Sequence, residues 1–213
     1  MKTFSNADGR GILLNMVKAI QDNKTFLGDI DGLIGDGDHG MNMNKGFTLY
    51  AEELGDNRTD FTDGLDDLGM VLFNKIGGSM GPIYGTIFMG MAEAGEGADD
   101  IDLGLFTAML RAGLEGLYEI IDARRGDKTL VDTLYPALKA LEDAGEAGRD
   151  FDDALDAMKA AAIEGRDSTK DMVAKYGRSS RLGERSRGVL DAGAASCALI
   201  LEAMADGIKE VLH

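Results

Sequence analysis

A single cysteine, Cys197, stands in the 213 residues, inside an Ala-rich apolar stretch. An intramolecular disulfide is therefore excluded, a reducing compartment is expected, and Cys197 reads as a packed core thiol. Histidine is almost as scarce. Of the two, His213 is the final residue, so zinc sites that need two imidazoles are nearly excluded. Aromatic residues make up only 6% while Met, Leu, Ala and Glu are plentiful, a balance that favours packed helices over sheets. Basic residues are outnumbered, 22 Lys and Arg against 38 Asp and Glu. The resulting net charge of -16 argues against binding DNA, RNA or an anionic membrane through a basic surface. A phosphorylated ligand would need metal ions to offset that charge. No segment approaches roughly eighteen uncharged apolar residues, and no basic start precedes an apolar signal core, so a soluble, cytoplasmic protein is expected. No Pro/Ser-rich linker divides the chain, and its 44% hydrophobic content suffices for one core, so residues 1–213 read as one domain.

Apolar residues recur at helical spacing in eight segments, and runs alternating with period two are scarce. The first segment covers about 7–21, with Ile12, Leu13, Met16, Val17 and Ile20 on one face. Met43, Phe47, Tyr50 and Leu54 mark a second; Leu65, Leu68, Leu72 and Ile76 a third. Tyr84, Ile87, Phe88 and Met91 mark a fourth, after a Pro82 suited to a first helical turn. The fifth runs from Leu103 to Ile121. The sixth, from Val131 to Leu141, contains Pro136, which either kinks it or sets a later start. Phe151 to Ala162 and Gly193 to Leu212 complete the set, predicting an all-α bundle.

Asp31, Asp36 and Asp38 fall within eight residues in the stretch Asp31-Gly32-Leu33-Ile34-Gly35-Asp36-Gly37-Asp38-His39-Gly40, read here as a loop before the second helix. Three carboxylates this close repel one another unless a cation lies between them, and interleaved glycines let the backbone aim all three at one place. All-oxygen ligation in so short a loop suits Mg²⁺, which keeps waters or shares phosphate oxygens. An EF-hand is ruled out because its twelfth position would be Gly40 or Phe47 rather than Glu. The competing reading is that Asp and Gly simply make turns in an acidic chain.

If successive helices run antiparallel, the loops after the first, third, fifth and seventh share one end of the bundle. That set contains the aspartate loop, Gly77-Gly78-Ser79-Met80-Gly81-Pro82, Gly126-Asp127-Lys128-Thr129, and the stretch from Gly177-Arg178 to Asp191-Ala192-Gly193. The other set, around Gly55-Asp56-Asn57, Gly95-Glu96-Gly97 and 145–150, holds ordinary acidic turns. The glycine-rich end is the expected active site, since helix N-termini there offer unpaired N–H groups to anions. Gly77-Gly78 either lets the backbone approach a phosphate or merely stops a helix. Arg178 either contacts phosphate or pairs with an acid such as Glu184. No Gly-x-x-x-x-Gly-Lys-Ser/Thr run is present, so a Walker-type loop is excluded.

Gly35-Asp36-Gly37-Asp38-His39-Gly40 followed by Asn42-Met43-Asn44-Lys45-Gly46-Phe47, then Gly77-Gly78, Gly81-Pro82 to Gly85-Thr86, Gly126-Asp127-Lys128-Thr129 and Leu182-Gly183-Glu184-Arg185-Ser186 form an ordered series. In order and spacing, across essentially the whole chain, it resembles the nucleotide-binding L subunit of bacterial dihydroxyacetone kinase. The resemblance implies an eight-helix antiparallel barrel with ADP or ATP at one end. It implies that Asp31, Asp36 and Asp38 bind two Mg²⁺ ions bridging the phosphates. His39 and Asn42 would contact the nucleotide, the Gly78-Ser79-Met80 backbone would cradle phosphate, and Leu130 would line the adenine side. Arg178 with Asp191, Ala192 and Gly193 would complete the site.

In such kinases the ketone is carried covalently on a histidine of a separate K subunit, so the general base is expected there and not in this chain. The implied function is transfer of a phosphoryl group from Mg-nucleotide to dihydroxyacetone or a related small ketose on that partner. The alternative is a regulatory nucleotide-binding protein that docks on a transcription regulator without catalysing transfer. The donor stays open between a phosphohistidine protein of the phosphotransferase system, acting on bound ADP, and exchangeable ATP. Three departures from the family pattern stand out. Gly77-Gly78-Ser79-Met80-Gly81 replaces Gly-Gly-Ala-Ser-Gly, Asp191-Ala192-Gly193 replaces Asp-Pro-Gly, and 120–125 lack the Gly and Pro often found there.

Overall fold

Every stretch anticipated from apolar spacing is helical, in order, in the computed structural model, which describes residues 2–213. The helices are α1 (Gly9–Ile34), α2 (His39–Leu54), α3 (Phe61–Lys75) and α4 (Met80–Ala94), followed by α5 (Leu103–Ile120), α6 (Val131–Glu146), α7 (Phe151–Ser168) and α8 (Ala192–Val211). Each packs on its neighbours in sequence, and α8 packs on α1, so the ring closes into an eight-helix antiparallel barrel around one continuous apolar core. Two short strands, β1 (Thr3–Ser5) and β2 (Asp100–Asp102), pair antiparallel with Phe4 opposite Ile101. No alternation had signalled these strands, since three residues are too few for a period of two to register.

The first helix departs most from expectation. It continues thirteen residues beyond Gln21, so Asp31 lies in its last turn rather than in a loop. Beyond Ile20 the buried stripe thins to Leu27 and Ile34, one residue every two turns, which is why spacing did not reveal it. Glycine replaces side chains at that contact. A Cβ on Gly40, in the first turn of α2, would overlap the Lys24 carbonyl and the Gly28 nitrogen of α1, so the two backbones touch there. Gly40 and Gly28 therefore set helix–helix distance, and the chain reversal falls to Gly35 and to Gly37 at φ 78°.

Pro136 lies inside α6 and does not mark its start. The ring takes an N–H from the Asp132 carbonyl, and Gly165 of α7 packs against that oxygen and the ring, where a Cβ would collide with both. The link between α7 and α8 is a chain of 3₁₀ turns, Thr169–Asp171 and Arg178–Ser186, that no periodicity had announced.

The two ends of the barrel differ. At one, the C-termini of α1, α3, α5 and α7 meet the N-termini of α2, α4, α6 and α8, and the long glycine-bearing links lie there. At the other, Thr3 and His213 exchange backbone hydrogen bonds of 3.1 and 3.0 Å, which ties the described N-terminal segment to the C-terminus. Among the described residues, no helix is long and apolar enough to cross a membrane.

Candidate functional site

The last turn of α1 and the four residues that follow it bring Asp31, Asp36 and Asp38 together. Carboxylate oxygens from all three lie within 4.8 Å of one another, the one such group of three metal-ligating side chains among the described residues. The backbone enforces the meeting. Gly35 N–H donates to the Asp31 carbonyl, Asn42 N–H donates to the Asp38 carbonyl at 2.9 Å, and His39 N–H donates to Asp31 Oδ2 at 3.3 Å. A Cβ on Gly35 would strike the Asp31 carboxylate, so a side chain is excluded beside the cluster. Hard oxygen donors at this spacing fit a divalent cation such as Mg²⁺. Arg178 forms an ion pair with Asp36, and Glu184 pairs with Arg187 at 3.1 Å. Arg178 thus pairs with an acid, as the competing reading expected, but that acid is Asp36 of the carboxylate cluster and not Glu184.

These residues rim a cleft of about 360 Å³, a size that suits a small ligand. Every site residue anticipated from the sequence lines it. Asp38 and His39 sit where α2 begins, and Asn42 one turn on. Gly78, at φ 73° with open space where a Cβ would be, and Ser79 form the turn into α4, whose first residue is Met80. Leu130 is buried at the start of α6, and Asp191, Ala192 and Gly193 open α8. Four helix N-termini therefore converge on the cleft, and their free N–H groups and dipoles favour an anion beside the carboxylate corner. The wall from Ile83, Ile121 and Leu130 is apolar and suits a planar ring system.

The far wall rests on polar residues whose part the sequence did not disclose. Asp132 is buried and accepts the Gly126 and Thr129 N–H groups at 2.5 and 2.8 Å, which folds the Gly126-Asp127-Lys128-Thr129 loop back on α6. Lys128 has φ 61°, the one positive φ outside glycine among the described residues. Its Nζ is buried and donates to the Thr169 and Val189 carbonyls at 2.7 and 2.6 Å, binding three segments of the α5–α6 and α7–α8 links together. Burial lowers its pKa, while the Asp191 carboxylate works the other way. Asp191 caps α8 by accepting the Ala194 N–H at 2.8 Å. Burial pushes this carboxyl up to about 6, against the pull of that hydrogen bond and of Lys128. The motif around Lys128 was visible in the sequence, but its anchoring role needs partners about forty and sixty residues away.

His39 is buried against α8. Its Nε2 lies 2.9 Å from Ser196 Oγ, which in turn lies 2.7 Å from the Tyr84 hydroxyl. Burial holds the His39 pKa down, to about 4, although Asp31 pulls it up, so the ring is neutral near pH 7. Neither Ser196 nor Tyr84 stood out in the sequence as part of a site: Tyr84 read only as a helix-face residue.

Comparison with known proteins agrees with the fold. Residues 33–206 match the DAK2 domain family. The chain is 39% identical over 186 residues to the ADP-binding subunit DhaL of PEP-dependent dihydroxyacetone kinase 1 from Listeria innocua, covering 87% of this chain and 88% of that protein. It is 36% identical over 188 residues to the ADP-binding subunit DhaL of the Escherichia coli PEP-dependent dihydroxyacetone kinase, covering 87% and 89%. In fold it is similar to the dihydroxyacetone kinase of C. freundii in its native form, with a TM-score of 0.72 at 24% identity over 92% of this chain. The same kinase in complex with AMP-PNP and Mg²⁺ aligns with a TM-score of 0.66 at 23% identity, again over 92% of this chain. The match spans 33% of that longer kinase chain. With the family match and the L-subunit relatives covered nearly end to end, the chain belongs to the DAK2-domain family, in its DhaL branch of dihydroxyacetone kinase subunits.

Proposed function

We propose that residues 1–213 act as one nucleotide-binding domain, the ADP- or ATP-holding subunit of a cytoplasmic kinase. It would pass a phosphoryl group to dihydroxyacetone, or a related small ketose, held on a separate K-type subunit. The observation that carries this reading is the meeting of three carboxylates with four helix N-termini around one cleft. Carboxylates alone would repel a nucleotide, and N-termini alone would hold any anion. Together they select a phosphate chain that arrives with its cations. Two Mg²⁺ ions on Asp31, Asp36 and Asp38 would supply the positive charge that spreads phosphate charge during transfer. The open N–H groups around Gly78, Ser79 and Met80 then cradle phosphate oxygens, Asn42 and His39 hold the nucleotide, and Leu130 lies along the base. Asp191, Ala192 and Gly193 close the floor. Arg178 exchanges Asp36 for phosphate once cations occupy the carboxylates.

The ionisable side chains of the cleft have other work, His39 bonding Ser196, Lys128 two carbonyls and Asp191 the start of α8, while Asp31, Asp36 and Asp38 would face cations. The base and the acceptor therefore belong to the K-type partner. The PEP-dependent relatives favour a donor in which bound ADP is recharged in place by a phosphohistidine protein of the phosphotransferase system. Two measurements test the proposal. ADP with Mg²⁺ is expected to raise the melting midpoint well beyond ADP alone, and ADP is expected to survive extended dialysis with Mg²⁺. Ketose phosphorylation is expected only when a K-type subunit is added. Turnover by this chain with ATP and Mg²⁺ alone would falsify the two-subunit reading. One feature favours the regulatory alternative, Met80, whose thioether stands at the α4 N-terminus where relatives place a hydroxyl. That reading requires tight Mg-ADP binding with no transfer in the complete system.

A further inference from the structure

Ser196 lies in the second turn of α8, fully buried, and belongs to no motif. Its hydroxyl is the junction of three groups: His39 Nε2 at 2.9 Å, the Tyr84 hydroxyl at 2.7 Å and the Gly193 carbonyl at 3.1 Å. The Tyr84 hydroxyl also lies 3.2 Å from the Gly193 carbonyl. His39 Nδ1 has no hydrogen-bond partner among the described residues, and the ring lines the cleft.

The direction of these bonds decides what His39 offers a ligand. Each hydroxyl has one hydrogen to give, and a neutral imidazole has one ring N–H. The Tyr84 hydroxyl lies 2.7 Å from Ser196 Oγ, a contact either hydroxyl can donate, and 3.2 Å from the Gly193 carbonyl, which can only accept. Ser196 is nearer His39 Nε2 than the Gly193 carbonyl, 2.9 against 3.1 Å, and that carbonyl already serves the α8 ladder. Two head-to-tail orders satisfy both shorter contacts, and the one that runs from Tyr84 through Ser196 to His39 leaves the ring hydrogen on Nδ1, the ring nitrogen without a partner among the described residues. The reverse order would put the hydrogen on Nε2 and a bare lone pair toward phosphate oxygens, acceptor against acceptor.

We propose that Tyr84 and Ser196 are positioning residues that hold His39 in its Nδ1–H tautomer, so that the ring donates a hydrogen bond to an anionic oxygen of the nucleotide. The inference rests on the nucleotide reading above and deepens it. His39 thus acts as a fixed donor, locked from behind by two hydroxyls. The Asp31 carboxylate, which accepts the His39 backbone N–H, aligns the same residue with the cation corner.

The tautomer is directly readable by long-range ¹H–¹⁵N correlation of the imidazoles in the full chain. His39 and His213 are the only two, and a His213→Gln variant assigns them. In the wild-type protein without nucleotide, His39 is expected to carry its hydrogen on Nδ1 and to show an unprotonated Nε2. In Ser196→Ala the ring is expected to shift toward the Nε2–H form, with Mg-ADP affinity reduced about tenfold, and Tyr84→Phe is expected to cost about threefold, as for a lost buried hydrogen bond. An Nε2–H ring in the wild-type protein overturns the proposal whatever the variants do. So does an unchanged Nδ1–H ring with unchanged Mg-ADP affinity in Ser196→Ala. An Nδ1–H ring that shifts in Ser196→Ala, in a protein that fails to bind Mg-ADP, supports the relay and defeats the nucleotide reading instead.

Discussion

The two ends of the barrel are built on opposite physical terms. The end away from the cleft is stoppered by phenylalanine. Phe61, Phe106 and Phe151 come from the first turns of α3, α5 and α7, and Phe4 comes from β1. Phe4 meets Phe61 edge-on at 5.4 Å, and Phe106 meets Phe151 at 5.8 Å. All four are buried, and Asn6 seals the rim by bonding Thr62 and the Ala98 carbonyl. At the cleft end the corresponding positions hold glycines, aspartates and open helix N-termini. One end gains stability by excluding water. The other keeps like charges close together and N–H groups free, which costs stability unless a charged ligand compensates.

The largest effect is expected at the stopper. Phe151→Ala should lower stability by about 3–5 kcal/mol and the melting midpoint by about 10 °C, with Mg-ADP affinity unchanged well below the transition. Calorimetry and titration of the same sample check this, and a variant that loses ADP binding while fully folded would erase the distinction between the ends. The cleft should respond the opposite way. Asp36→Asn removes a ligand charge and should weaken Mg-ADP by at least about tenfold, while the melting midpoint without ligand stays within about 2 °C. A drop in unliganded stability as large as that of Phe151→Ala would mean the carboxylates hold the fold.

The smallest effect sharpens the comparison through pH. Asp191 has a folded-state pKa raised to about 6, above its unfolded value, so its charged form disfavours the folded state. That penalty is fully present above pH 6 and fades as pH falls toward 4. Asp191→Asn, which keeps a capping oxygen, should therefore gain stability relative to wild type as pH rises from 4 to 7, by a few degrees in melting midpoint. A difference that is flat across this window would place the carboxyl in a solvated setting.

Comparing the ends also shows where local sequence is sufficient. Leu103 to Ile121 announced α5 because each turn repeats an apolar residue, and the alternation of links followed from helix order alone. Asp31, Asp36 and Asp38 were legible as a cluster because seven residues cannot separate them far. The second half of α1 was not, because glycine contacts leave no apolar period. Nor was the stopper, since Phe4 and Phe61 mark no helix face and meet only when β1 folds over the start of α3.

Sequence by itself determined the eight helices, their order, and hence which links share an end; it also determined that three carboxylates crowd together before α2. These are properties of neighbours along the chain, where spacing and steric limits act directly. Only the closed ring decided the rest. It set Arg178 against Asp36, bound Lys128 to carbonyls on the α7–α8 link, and brought Ser196 behind His39 across 157 residues. Such contacts depend on α8 packing against α1, and no local pattern encodes the partner that a buried polar atom must find to offset its lost water.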